Sequence, residues 1–269
     1  MHDRACINFL QHYLPELGYR WKGFRKVRNQ VCKKIKKRIA ELELGSIQTY
    51  RDYLEKHEEE MQVLDGLLNI TISRFYRDRG VFDSIGNSIL PALAEKARQN
   101  QQEQIRCWSA GSASGEEAYT LAILWEMALL PEQVSGVSLE ILGTDRHDRM
   151  LERAEKAIYP EGNLKELPRE WIKQVFDKEE SEYRIKKQFR QDVTFLKQDI
   201  RSELPEGTFD LILCRNLVFT YFREELQGEI YQAILDKLNP GAYLIIGNHE
   251  SLPPGRVELL QVRKCIFRM

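Results

Sequence analysis

The stretch Cys107-Trp108-Ser109-Ala110-Gly111-Ser112-Ala113-Ser114-Gly115-Glu116-Glu117-Ala118-Tyr119 places a run of small residues between two apolar segments. Ile105 leads into it, and Leu121, Ile123, Leu124, Met127 and Ala128 follow at helical spacing. The pattern predicts a strand, a tight turn and a helix, with a flat ligand brought against backbone that carries little side chain. Only Gly111 and Gly115 are present, so the spacing is not the Gly-x-Gly-x-x-Gly of dinucleotide enzymes. Glu116 and Glu117 stand at the helix start, where a pyrophosphate would need positive charge. The turn suits a ligand with a cationic end.

In an open parallel sheet a ligand lies beyond the carboxyl ends of the strands. Asp145 follows Leu142-Gly143-Thr144 at such an end, and its carboxylate reads either as the acceptor for two ribose hydroxyls or as a cap for the helix beginning near His147. Asp199 follows Phe195-Leu196-Lys197-Gln198 and reads either as a partner for an adenine amine, with Ile200 covering the ring, or as a solvated loop acid. Arg215 and Asn216 follow the strand Phe209-Asp210-Leu211-Ile212-Leu213-Cys214, where backbone and amide would line a cleft floor or simply form a turn. The five histidines are dispersed with no paired metal-ligand spacing, so no metal is expected. No Gly-x-Ser-x-Gly or Cys-plus-His context suggests a covalent nucleophile.

These strand ends need a scaffold. From Ile105 onward, strands expected at residues 105–109, 139–144, 193–196, 209–214, 243–247 and 265–267 alternate with helices at 116–129, 149–157 and 224–238, which predicts a parallel α/β sheet. The charged stretch 171–191 reads as an insertion, with Tyr183-Arg184-Ile185 as a short strand. The first eighty residues read as helices. Phe24, Val27, Val31, Ile35 and Ile39 make one apolar stripe along a helix from Arg20 to Ala40, and Ser46 or Thr49 caps the next. Arg20, Lys22, Arg25, Lys26, Arg28, Lys33, Lys34, Lys36, Lys37 and Arg38 crowd that first helix with no acid among them. The net charge of −1 conceals this asymmetry, which reads as a solvated face or as an electrostatic docking surface. No interleaved aromatic ladder accompanies it, so nucleic acid is not expected. The 269 residues hold five scattered cysteines (Cys6, Cys32, Cys107, Cys214, Cys265) with no Cys-x-x-Cys pair, which predicts reduced thiols in a cytoplasmic protein. No signal peptide is seen, and no apolar run approaches the roughly 18 residues of a membrane span, so no membrane insertion is expected.

Together these residues resemble the CheR-type chemoreceptor glutamate methyltransferases. The matching segments are 69–77 (with Ser73, Phe75 and Arg77), 108–119, Thr144-Asp145, 209–216 with Tyr221-Phe222, and Gly247-Asn248-His249-Glu250-Ser251, in the family's order and near its spacing. The resemblance implies a class I (Rossmann-like) S-adenosylmethionine methyltransferase sheet preceded by a small all-helical N-terminal domain. The expected divisions are a helical domain over 1–82 that presents Arg77 and the basic surface, a linker helix over 83–104 and a methyltransferase domain over 105–269. The implied cofactor is S-adenosyl-L-methionine, with S-adenosyl-L-homocysteine as product. Arg77 falls on the position that holds the acceptor carboxylate, and Tyr221 on a position beside the transferring methyl. Thr71, Ser73, Arg77, Gly111, Glu117, Asp145, Asp199, Ile200, Arg215 and Asn216 fall on cofactor-contact positions, with Glu117 near the amino group. The implied partner is a protein substrate, an acidic helical receptor segment docked on the basic helix over 20–38.

Four positions depart from the family pattern. Thr71 stands where Asn is usual, Ser112-Ala113-Ser114 with Ala118 replaces Cys-Ser-Thr with Pro, and Asp199 replaces a common Asn. Asn216 and Tyr221 are one residue further apart than usual. That spacing keeps open the same scaffold acting on a small molecule or another protein acceptor. A non-catalytic adenosyl-ligand sensor is the reading from another class; retention of Ser73, Arg77, Glu117 and Asp145 argues against it.

Overall fold

The structure is a computed structural model that describes residues 3–70, 72–253 and 259–269. By packing, the chain divides into two units. Met1–Ile72 with Thr220–Gln227 forms one, and Ser73–Phe219 with Gly228–Met269 the other. The segment carrying Arg77, placed with the helical domain from sequence, thus lies in the unit that contains the sheet.

The first unit is built on α1 (Asp3–Glu16), α2 (Trp21–Phe24), α3 (Arg28–Glu41), α4 (Ile47–Leu54) and α5 (Glu58–Leu67). The apolar stripe is buried as expected, through Phe24, Val31, Ile35 and Ile39. The single helix expected from Arg20 to Ala40 is broken between α2 and α3, where the Val27 N–H bonds the Phe24 carbonyl across 3.1 Å. Tertiary docking overrides the period: a Cβ on Gly23 would lie 2.3 Å from the Thr220 carbonyl oxygen, and the Arg20 N–H donates to the Tyr221 carbonyl. Ser46 and Thr49 act together, since each side-chain oxygen accepts the other's backbone N–H at 3.1 Å in a capping box that starts α4.

Glu60 on α5 is buried, accepting two hydrogen bonds from Arg38 (2.9 and 2.7 Å) and one from the Tyr50 hydroxyl (2.8 Å). The Arg38 hydrogen bond, aided by the tyrosine, holds its carboxyl below the ordinary carboxylate range against the opposing effect of burial. Cys6 on α1 and Cys32 on α3 form a disulfide with Cα atoms 6.1 Å apart. This corrects the reading of all five cysteines as thiols: the two lie 26 residues apart on different helices, and only the packing of those helices brings them together. Cys107, Cys214 and Cys265 are free and buried.

The second unit begins with α6 (Arg79–Ser84), which passes through a wider turn at Ile85–Ile89 into α7 (Leu90–Gln99). The sheet unit continues with β1 (Gln104–Ala110), α8 (Glu116–Ala128), α9 (Pro131–Val134), β2 (Ser138–Asp145) and α10 (Asp148–Lys156). Next come β3 (Ile158–Pro160), α11 (Arg169–Val175), β4 (Phe176–Glu179), β5 (Glu182–Ile185), β6 (Val193–Lys197) and β7 (Phe209–Cys214). The chain ends through α12 (Val218–Tyr221), α13 (Glu224–Leu235), β8 (Leu238–Ile246), β9 (Leu260–Arg263) and β10 (Ile266–Arg268). The main sheet has the order β6-β2-β1-β7-β8-β10-β9, parallel throughout except for β10, which runs antiparallel to both neighbours. This is the Rossmann-like class I arrangement expected from sequence.

Every residue of β7 is buried, as a central strand covered on both faces requires. The strand order reverses between β1 and β7, so the crevice at their carboxyl ends is the topological switch point of the sheet. The insertion is a separate antiparallel sheet of order β3-β5-β4, in which the expected strand at Tyr183–Ile185 is the centre. Phe75 is clamped edge-on between Tyr159 of β3 and Phe176 of β4, at ring distances of 4.8 and 5.3 Å. That contact fixes the segment leading to Arg77.

Candidate active site at the switch point

The turn after β1 is drawn down onto the end of β2. Gly111 and Gly115 have φ of +70° and +86°, and a Cβ on Gly115 would lie 2.8 Å from the Phe195 ring and 2.9 Å from Ala154. Both positions therefore require glycine. Between them Ala113 also has positive φ (+48°), and its N–H donates to Asp145 Oδ2 at 3.0 Å, while the Ser112 N–H donates to the Thr144 carbonyl. Asp145 Oδ1 accepts the His147 N–H at 2.9 Å and lies 3.0 Å from His147 Nδ1. Of the two sequence readings of Asp145, these bonds show the one that ties it to the start of the helix near His147. The carboxylate organises the glycine turn and the entry to α10, and its two oxygens keep lone pairs for further donors.

Arg215, at the end of β7, is more than a floor residue. Its side chain is 2% exposed, with Nη1 on Glu117 Oε2 at 2.8 Å and Nη2 on Asp78 Oδ2 at 2.6 Å and the Arg77 carbonyl at 3.0 Å. Glu117 Oε1 accepts from the Ser109 hydroxyl at 2.9 Å. One guanidinium therefore joins the start of α8 to the Arg77–Asp78 corner. Ser73 and Arg77 are half-buried on the same unit's leading segment. Asn216 has φ of +55°; its N–H and that of Gly247 both donate to buried Glu250, at 2.9 and 2.6 Å.

Asp199 is ion-paired rather than a solvated loop acid. Arg201 Nε reaches both its oxygens at 2.9 and 3.0 Å, and Arg146 approaches to 3.8 Å. Burial pushes the Asp199 carboxyl up, but the Arg201 hydrogen bonds outweigh it and hold the group below its ordinary value. Ile200 is buried beside it. Tyr221 belongs to the first unit, where its ring packs 5.0 Å from Phe24. Thr71 lies outside the described residues.

Sequence reasoning named Glu116 only with Glu117 as an acid of the helix start, and gave Asp78, Glu250 and Gln198 no individual role. Glu116 is fully buried, held by the Ser114 hydroxyl and by Asn163 Nδ2 at 2.6 Å. The signals were faint: Glu250 lies inside the Gly247–Ser251 segment, and Asp78 and Gln198 adjoin residues already singled out.

An adenosyl sulfonium fits these residues. Acids, not cations, stand in the first turn of α8. The buried Ser112 hydroxyl and the Gln198 amide oxygen have no hydrogen-bond partner among the described residues, and the Gln198 backbone N–H bonds the Asp145 carbonyl. Buried polar atoms of this kind call for a polar ligand.

Comparison with known proteins agrees. The family described as "CheR methyltransferase, SAM binding domain" matches residues 71–266. A chemotaxis protein methyltransferase of Borreliella burgdorferi is 33% identical over 208 residues, covering 76% of this chain and 73% of that protein. The chemotaxis protein methyltransferase of Listeria innocua is 31% identical, covering 76% of this chain and 75% of its own. Chemotaxis protein methyltransferase 2 of Vibrio cholerae is 28% identical over 93% of this chain and 86% of its own length. With the matched span covering the sheet, the glycine turn and the Arg77 segment, the chain belongs to the CheR family of S-adenosylmethionine-dependent methyltransferases.

Proposed function

We propose that the protein methylates side-chain carboxylates of glutamate residues in a chemoreceptor-type protein, forming methyl esters. The observation that carries this reading is the grouping, at one end of the sheet, of Asp145 and Glu117 with an Arg77 segment tied to Glu117 through Arg215. Bound S-adenosylmethionine supplies a methyl group on a positively charged sulfur. Around it, the glycine turn at Gly111 offers bare backbone, Asp145 accepts the ribose hydroxyls and Glu117 faces the amino end. Asp199 and Gln198 serve the adenine amine, Ile200 covers the ring, and Asn216 and Arg215 complete the floor. Ser73 serves the methionine portion.

Arg77 holds the acceptor carboxylate. A glutamate side chain is ionised at neutral pH, so alignment and exclusion of water suffice and no general base is needed. A guanidinium matches a carboxylate fork as no other side chain does. The exposed cations of the first unit, Lys22, Arg25, Lys26, Lys33, Lys36 and Lys37, supply a docking face for an acidic helical segment. The test is to incubate the protein and S-adenosylmethionine with a chemoreceptor cytoplasmic fragment and map the product by mass spectrometry. Methyl groups on glutamate support the reading; methyl groups on lysine, or none while the cofactor binds, overturn it.

A further inference from the structure

Arg77 is flanked on both sides by strained backbone. Tyr76 has φ of +58° and Asp78 has φ of +66°, and neither is glycine. Such conformations persist only where their surroundings over-determine them, and they gather at working sites. The Tyr76 side is held by its N–H on the Thr120 hydroxyl at 3.2 Å, its own hydroxyl on Asp83 at 2.9 Å and its ring against Phe82. The Asp78 side is held by Arg215, through Nη2 to the Asp78 carboxylate and the Arg77 carbonyl. The Arg215 guanidinium stacks 5.1 Å from Phe82 and is anchored by Glu117 on α8. Its Nε is buried without a hydrogen-bond partner among the described residues, so the contacts of Nη1, Nη2 and the guanidinium face orient the group.

We infer that the Asp78–Arg215 pair is a positioning device for the acceptor step. It locks the left-handed corner at Asp78 so that the Arg77 guanidinium is set for the acceptor carboxylate, and it ties that setting to Glu117 on the cofactor side. This rests on the assignment of Arg77 to the acceptor. A lysine at 215 would offer a point charge in place of a planar fork that reaches three acceptors at once. At 78, asparagine and glycine adopt positive φ at lower cost than alanine does.

The test compares Asp78→Ala, Asp78→Asn, Asp78→Gly, Arg215→Lys, Asp78→Ala/Arg215→Lys and Arg77→Ala. Acceptor kcat/KM and the S-adenosylmethionine Kd are measured for each. Asp78→Ala is expected to lose at least about tenfold in acceptor kcat/KM while the cofactor Kd moves less than about twofold. Asp78→Gly and Asp78→Asn are expected to recover part of that loss, and the double variant to be no worse than Arg215→Lys alone. Wild-type turnover in Asp78→Ala, an equal fall in cofactor affinity, or additive losses in the double variant would overturn the inference. If Arg77→Ala itself keeps turnover, the assignment of Arg77 fails and takes the inference with it. If Arg77→Ala is inactive and Asp78→Ala is normal, only the positioning role fails.

Discussion

Under the proposed function the Asp145 carboxylate has two jobs. Its oxygens already order Ala113 and His147, and the ribose hydroxyls would be added to the same group. Hydrogen bonds to a charged acceptor contribute about 1.5–3 kcal/mol each. Asp145→Ala should therefore weaken S-adenosylmethionine binding by at least about tenfold in calorimetry, and an unchanged Kd would place the ribose elsewhere. Arg77→Ala should leave that Kd within about twofold and cut acceptor kcat/KM by about thirtyfold or more, the loss expected when a desolvated charge partner is truncated. The places of Asp145 at a strand end and of Glu117 in a first helical turn were legible in the sequence, because local apolar patterning sets both. The role of Arg215 was not, since its partners Glu117 and Asp78 lie 98 and 137 residues away. No local pattern reports a contact of that range.

Periodicity located every strand of the parallel core but not the short edge strands. β3, β4 and β9 are three or four residues long and carry too few alternations to register. Periodicity was equally silent about the Cys6–Cys32 bond, which depends on how α1 and α3 pack. Closing a loop of 26 residues contributes about 3.5 kcal/mol in the chain-entropy view. Reduction, or Cys6→Ser, should lower the denaturant midpoint of the first unit, and intact mass under non-reducing conditions should be about 2 Da below the fully reduced value. Identical midpoints with and without reductant would contradict the bridge.

The Glu60 carboxyl gives the same helices a pH signature. Its folded value is depressed, so its contribution to stability is complete above the unfolded carboxylate value near 4.3. That contribution is lost as pH falls below there. Glu60→Gln should destabilise the protein at pH 7 by about 2–4 kcal/mol by leaving Arg38 underpaired, and should flatten the acid limb of a stability–pH profile. An unaltered acid limb would show that another carboxylate governs it.

Charge is distributed unevenly over the whole molecule. A chain of net charge −1 gathers Lys22, Arg25, Lys26, Lys33, Lys36 and Lys37 at exposed positions of its first unit, whereas Arg38 and Lys34 are drawn to Glu60 and the Asn69 carbonyl. The sequence displayed the excess of cations; which of them reach solvent was set by packing. Reversing Lys33, Lys36 and Lys37 to Glu should raise the acceptor KM severalfold, with the cofactor Kd unchanged, and wild-type KM should climb with ionic strength. A salt-independent KM would remove the docking role. Among the described residues no helix is long and apolar enough to cross a membrane.

The most direct test of the central claim is methyl transfer from labelled S-adenosylmethionine into proteins of the source cell, followed by mild alkali. Release of the label as methanol, dependent on Arg77, is the predicted result, because only a carboxyl ester hydrolyses so readily. Label that survives alkali would mean a nitrogen or other acceptor and would contradict the account.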